Sequence, residues 1–132
     1  MTRLAGIKAV TFDVDGTLCD FETVMRHSLG KVLEELKRLD PEAAGMLNVD
    51  KLVEIRDRVH DELRGVVVSL NEIRSEGFKR ALSEAGRPSD SLATHLCRLY
   101  FEHRDTGRRP FPDARPSLQA LHGRYSLGVL SN

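Results

Sequence analysis

A chain of 132 residues is about one average domain, enough for a moderate core but near the low end for a sheet enzyme that carries an insertion. Its 20 Lys and Arg balance 20 Asp and Glu, so no net field draws it to nucleic acid or to an anionic membrane, and neither partner is expected. Two cysteines, Cys19 and Cys97, are too few for a disulfide scaffold and too far apart for a local metal motif, and no run reaches the roughly 18 apolar residues of a membrane span, which predicts a cytoplasmic protein.

The first element is short. Residues 7–12, Ile-Lys-Ala-Val-Thr-Phe, are β-rich and are broken by Asp and Gly, which predicts a strand feeding a loop. From Glu22 onward Met25, Leu29, Val32, Leu33, Leu36 and Leu39 recur at spacings of three and four, the pattern of an amphipathic helix. Asp40-Pro41-Glu42 supplies an N-cap, a first-position proline and a first-turn acid for a second, short helix. A third helix opens near Asp50 with Leu52, Ile55, Val59 and Leu63 on one face. A fourth runs from about Leu70 through Ile73, Phe78, Ala81, Leu82 and Ala85 and is stopped by Gly86 and Pro88. Ser89 or Asp90 caps a fifth, which carries Leu92, Leu96, Leu99 and Tyr100. Residues 104–110 are polar, aperiodic and contain Gly and Pro, so they read as a connector whose Arg104, Arg108 and Arg109 line a solvated hinge. A short helix over residues 116–122, stopped by Gly123, and a second apolar strand over residues 126–130 complete the chain.

Within this frame the chemistry-bearing residues sit at one place. Asp13 and Asp15 follow the first strand at i and i+2, and on extended backbone such a pair points the same way. At the carboxyl end of a parallel strand they would lie in the crevice where α/β folds bind ligands. Their oxygens suit a hard cation such as Mg²⁺, which also binds phosphate oxygens. Asp13 can attack phosphorus to give an aspartyl-phosphate, while Asp15 can protonate the leaving oxygen and then activate water. Gly16 lets the backbone fold back toward phosphate without a Cβ, and Thr17 offers a hydroxyl for the turn. An Asp-x-Asp by itself is a common loop feature; the preceding strand and the following Gly-Thr-Leu give it its meaning.

Phe12-Asp13-Val14-Asp15-Gly16-Thr17-Leu18 resembles the first motif of the haloacid dehalogenase-like hydrolase superfamily, and Leu127-Gly128-Val129-Leu130-Ser131-Asn132 resembles its second. The order of elements is similar to members that insert a helical cap between these motifs, with Phe111-Pro112-Asp113-Ala114-Arg115-Pro116 returning the chain to the core. The resemblance implies an α/β, Rossmann-like parallel sheet core, here partial, over residues 1–19 and 107–132, with an inserted α-helical cap over residues 20–106. It implies a Mg²⁺-dependent phosphatase of small phosphorylated metabolites. In that enzyme Asp13 is nucleophile and metal ligand, and Asp15 is general acid/base and a metal ligand through its backbone carbonyl. Gly16, Thr17, Ser131 and Asn132 bind substrate. The second carboxylate resembles the phosphatase and mutase members more than the dehalogenases. A phosphomutase or dehalogenase of the same superfamily is the alternative, and a helical interaction module that keeps the motif as a relic is another.

The family's later lysine and acidic pair have no evident counterpart here, since Lys8 precedes the strand and Lys31, Lys37, Lys51 and Lys79 fall on cap helices. The chain is therefore expected to be the front part of a longer enzyme. His27, His60, His95, His103 and His122 have no ligand spacing with Cys or acidic residues and read as surface or partly packed. Both cysteines read as buried small apolar residues. Arg74 reads as an i,i+4 surface residue, with a substrate-facing position on the cap as its alternative.

Overall fold

The computed structural model describes residues 5–66 and 69–130. Eight elements follow in chain order: β1 (Ala9–Phe12), α1 (Phe21–Leu39), α2 (Pro41–Gly45), α3 (Val49–Leu63), α4 (Leu70–Glu84), α5 (Asp90–Thr106), α6 (Ala114–Leu121) and β2 (Ser126–Val129). The architecture is α/β, with a small parallel sheet and many helices. The chain divides into two compact units, one formed by the residues up to Val24 together with those from Arg108 onward, the other by Met25–Gly107.

In the first unit β1 and β2 pair in parallel, with Ala9 opposite Ser126 and Phe12 opposite Val129. The ladder extends past both ends, because Ser126 N–H donates to Lys8 C=O (2.9 Å) and Leu130 N–H donates to Phe12 C=O (2.8 Å). Parallel strands need a crossover, and the whole helical unit lies within that connection. Helix α6 starts two residues before the expected Pro116, at Ala114. The proline falls in the first turn, where a helix leaves its N–H groups unbonded, so it does not break the helix.

In the second unit the helices are amphipathic and each buries its apolar stripe. Met25, Leu29, Val32 and Leu36 of α1, Leu52, Ile55 and Val59 of α3, Ile73, Phe78, Ala81 and Leu82 of α4, and Ala93, Leu96, Cys97 and Tyr100 of α5 form the core. Leu39, expected on the inner face, is 43% exposed because it is the last residue of α1. Side-chain caps start the helices: Asp40 accepts from Ala43 N–H, Asn48 from Lys51 N–H, Ser69 from Glu72 N–H and Ser89 from Leu92 N–H. The Asn48 cap sets the start of α3 one residue before Asp50. Helix α5 runs on through Asp105 and Thr106, so the connector begins at Gly107, later than its composition suggested.

Helix α3 packs on α4 and α4 on α5. Two cross-helix ion pairs, Arg58 with Glu84 and Arg80 with Glu62, accompany the α3–α4 contact. Arg26 reaches Asp50 (2.8 Å) and Arg87 reaches Asp40 (2.9 Å), joining segments distant in sequence at the surface. Cys97 is buried as expected and burial pushes its thiol up, whereas Cys19 is only half-buried. No helix among the described residues is long and apolar enough to cross a membrane.

Candidate active site

The turn after β1 is built by one carbonyl. Val14 C=O accepts from Thr17 N–H (3.2 Å), Leu18 N–H (2.9 Å) and Cys19 N–H (2.9 Å), while Gly16 N–H donates to Cys19 C=O (3.0 Å). Closing so tight a loop requires φ of +81° at Gly16, a conformation that costs a residue with a Cβ. The turn is tied to the return segment by Asp20 N–H on Arg109 C=O (2.7 Å) and Phe111 N–H on Leu18 C=O (2.9 Å). Asp20 also accepts from Thr23 N–H (3.3 Å) at the start of α1.

Asp13, Asp15, Gly16 and Thr17 are all exposed on this turn. Neither carboxylate is hydrogen-bonded or ion-paired with another described residue, so both remain available to a ligand. No cluster of three or more His, Cys, Asp or Glu gathers among the described residues. Two carboxylates without a described partner on a hydrogen-bonded turn nevertheless fit Mg²⁺, which is usually held by one or two carboxylates with waters and substrate phosphate completing its shell. Ser131 and Asn132 lie outside the described residues. The residue before them, Leu130, is placed against the end of β1 by its bond to Phe12.

Two other readings of the sequence change. Arg74 is not a surface residue: it is 7% exposed, on the inner face of α4. Its distance from Phe78 and Ala81 along the helix is i+4 and i+7, so the apolar periodicity already carried it inward. His95 does find an acidic partner, Glu35, with Nε2 and Oε1 3.1 Å apart. The two lie on α5 and α1, and local spacing carries no trace of the contact.

A strand-borne acidic turn in a partial Rossmann-like core interrupted by a helical cap defines a class of α/β hydrolases. The family model for haloacid dehalogenase-like hydrolases matches residues 7–132, and the chain belongs to that family. Among solved structures it is similar to a 2-haloacid dehalogenase from Pseudomonas syringae pv. Tomato, with 30% identity and a TM-score of 0.62 over 96% of this chain and 55% of that one. It is similar to the putative HAD-hydrolase YfnB from Bacillus subtilis, bound to magnesium, with 20% identity and a TM-score of 0.75 over 96% and 53%. A third is the defluorinating L-2-haloacid dehalogenase Rha0230, with 22% identity and a TM-score of 0.57 over 96% and 51%. The chain thus spans about half the length of these structures. Comparison with curated proteins gives no match.

Proposed function

We propose that the protein is a Mg²⁺-dependent phosphatase of small phosphorylated metabolites. The observation that carries this reading is the second carboxylate, Asp15, held two residues after Asp13 on the Gly16 turn with neither acid engaged by another described residue. The Asp13 carboxylate and the backbone carbonyl of Asp15 would hold the cation, which when bound offsets the negative charge of the phosphoryl group. Asp13 attacks phosphorus and forms an aspartyl-phosphate as the alcohol leaves. Asp15 gives its proton to the departing oxygen, then takes one from the water that opens the aspartyl-phosphate. The backbone at Gly16 and the Thr17 hydroxyl, with Ser131 and Asn132, hold the phosphoryl oxygens.

A second reading is favoured by the 30% identical dehalogenase structure. There Asp13 would attack the halogen-bearing carbon of a haloacid, expel halide and form an ester that water opens, and Asp15 would have no proton to deliver. One assay on the whole protein separates the two: phosphate released from p-nitrophenyl phosphate with Mg²⁺, against halide released from 2-chloropropionate. On the phosphatase reading Asp13→Asn abolishes phosphate release and Asp15→Asn lowers it by about 10²-fold or more. Halide release that survives Asp15→Asn would transfer the site to the second reading. Neither product would leave the motif a relic.

A further inference from the structure

Four polar side chains form a row that crosses from α1 to α5 in the helical unit, apart from the chemistry assigned to Asp13 and Asp15. Arg38 donates to Glu35 from Nε (3.0 Å) and Nη2 (2.7 Å), Glu35 Oε1 lies 3.1 Å from Nε2 of His95, and Nη2 of Arg98 lies 3.1 Å from His95 Nδ1. The row begins and ends on a guanidinium, which has donors and no acceptor. Next to Arg98, Nδ1 therefore accepts. The ring proton then sits on Nε2 and is donated to Glu35, whose carboxyl, held down to about 2 chiefly by Arg38, offers only acceptors at neutral pH. The partners on either side thus select one tautomer of the neutral ring.

Imidazole is the side chain that exchanges a proton between pH 5 and 8 in ordinary surroundings. A proton taken from water goes to Nδ1, which holds the remaining lone pair. Donor then faces donor and cation faces cation across the contact with Arg98, while the bond to Glu35 gains a charge. Glu35 favours the added proton from α1 and Arg38 opposes it; Lys31 and Glu34, one turn earlier, pair with each other (3.2 Å). Arg98 opposes it from α5. Helix α4 brings Asn71 and Ser75 to the groove beside Arg98, and neither ionises.

The same open groove between α4 and α5, of ≈ 450 Å³, holds a second acceptor for Arg98. Glu102 stands four residues further along α5, the spacing at which helix side chains meet, and its carboxylate is not bonded to another described residue. We propose that His95 is a proton-operated latch for Arg98: the neutral ring holds the guanidinium at the α1–α5 junction, and the protonated ring releases it along α5 to Glu102. Acidification thereby moves a positive charge along the groove. One N–H bond forms at Nδ1, its proton comes from solvent, and no other covalent bond changes. The latch lies wholly in the helical unit and stands whether or not Asp13 proves to be a nucleophile.

Nitrogen-15 NMR of the whole protein between pH 5 and 8 tests it. At pH 8 the His95 ring, assigned by its loss in His95→Gln, should carry its proton on Nε2, and the Arg98 guanidinium should rotate slowly. At pH 5 both ring nitrogens should be protonated, and the Arg98 signals should have shifted with the same midpoint as the ring. His95→Gln keeps an acceptor that does not titrate, so it should abolish the pH response of Arg98. Glu102→Gln should leave the release intact and make the released guanidinium rotate faster at pH 5. Arg98→Gln should raise the midpoint of the ring, and Glu35→Gln should lower it, each by about half a pH unit or more. The proposal is overturned by Arg98 signals that stay constant through the His95 titration, by a pH response that survives His95→Gln, by a ring proton on Nδ1 at pH 8, or by released Arg98 signals that Glu102→Gln leaves unchanged.

Discussion

At the residue scale the acidic turn was legible because its chemistry is contiguous: Asp13, Asp15, Gly16 and Thr17 stand within five positions, and their meaning follows from the strand before them. Gly16 illustrates the physics. An added Cβ would meet nothing within 4 Å, so space does not require glycine there; the backbone angle does. Gly16→Ala should therefore cost about 1–2 kcal/mol through backbone strain alone, read as a lower urea midpoint with an unchanged slope. Contacts made only by folding were not legible, and the one between Glu35 and His95 is the clearest of them. Glu35 is half-buried, accepts two bonds from Arg38 (3.0 and 2.7 Å) and faces His95, and these bonds, Arg38 first and His95 second, hold its carboxyl down from 4.5 to about 2. A lowered folded-state value means this contribution is complete above about pH 4.5 and is lost as pH falls toward 2. Glu35→Gln should flatten the stability profile across that window, measured by denaturant midpoints from pH 2 to 6.

At the element scale, periodicity placed the long helices α1, α3, α4 and α5, since burial of one face writes the 3.6-residue repeat directly into the chain, whereas Asp40-Pro41-Glu42 placed α2 and short apolar or β-rich runs placed the strands. Boundaries were less legible where a cap competed with composition. Asn48, not the acidic residue after it, starts α3, because its side-chain oxygen reaches Lys51 N–H at 2.8 Å. Asn48→Ala should cost about 1 kcal/mol and fray the first turn of α3, seen as faster amide exchange at Lys51. Arg104 and Asp105 looked like connector because they are polar, yet they extend α5, where the Arg104 guanidinium lies 4.6 Å from the centre of the Phe101 ring. Polarity alone does not end a helix; Gly107 does.

At the scale of the whole molecule the two units differ in how much apolar surface they hide. The helical unit has a continuous core, whereas Phe12, Leu18, Leu118 and Leu127 of the other line an open cavity of ≈ 340 Å³ and Val129 and Leu130 are 62% and 74% exposed. Two strands alone are marginal, and open apolar edges pair with other chains. The purified 132-residue chain should therefore associate, and Leu130→Lys should lower its light scattering without reducing the helical signal. The parallel pairing of β1 with β2 has a separate consequence for tolerance to change. Everything from α1 to α6 is, for the sheet, the loop that must close before Phe12 can meet Val129. Closure entropy grows only with the logarithm of loop length, about 0.6 kcal/mol for each doubling. Helices can thus be added to or removed from the insert at almost no expense to strand pairing, which leaves the region between the two motifs free to diversify while the acidic turn stays where β1 puts it.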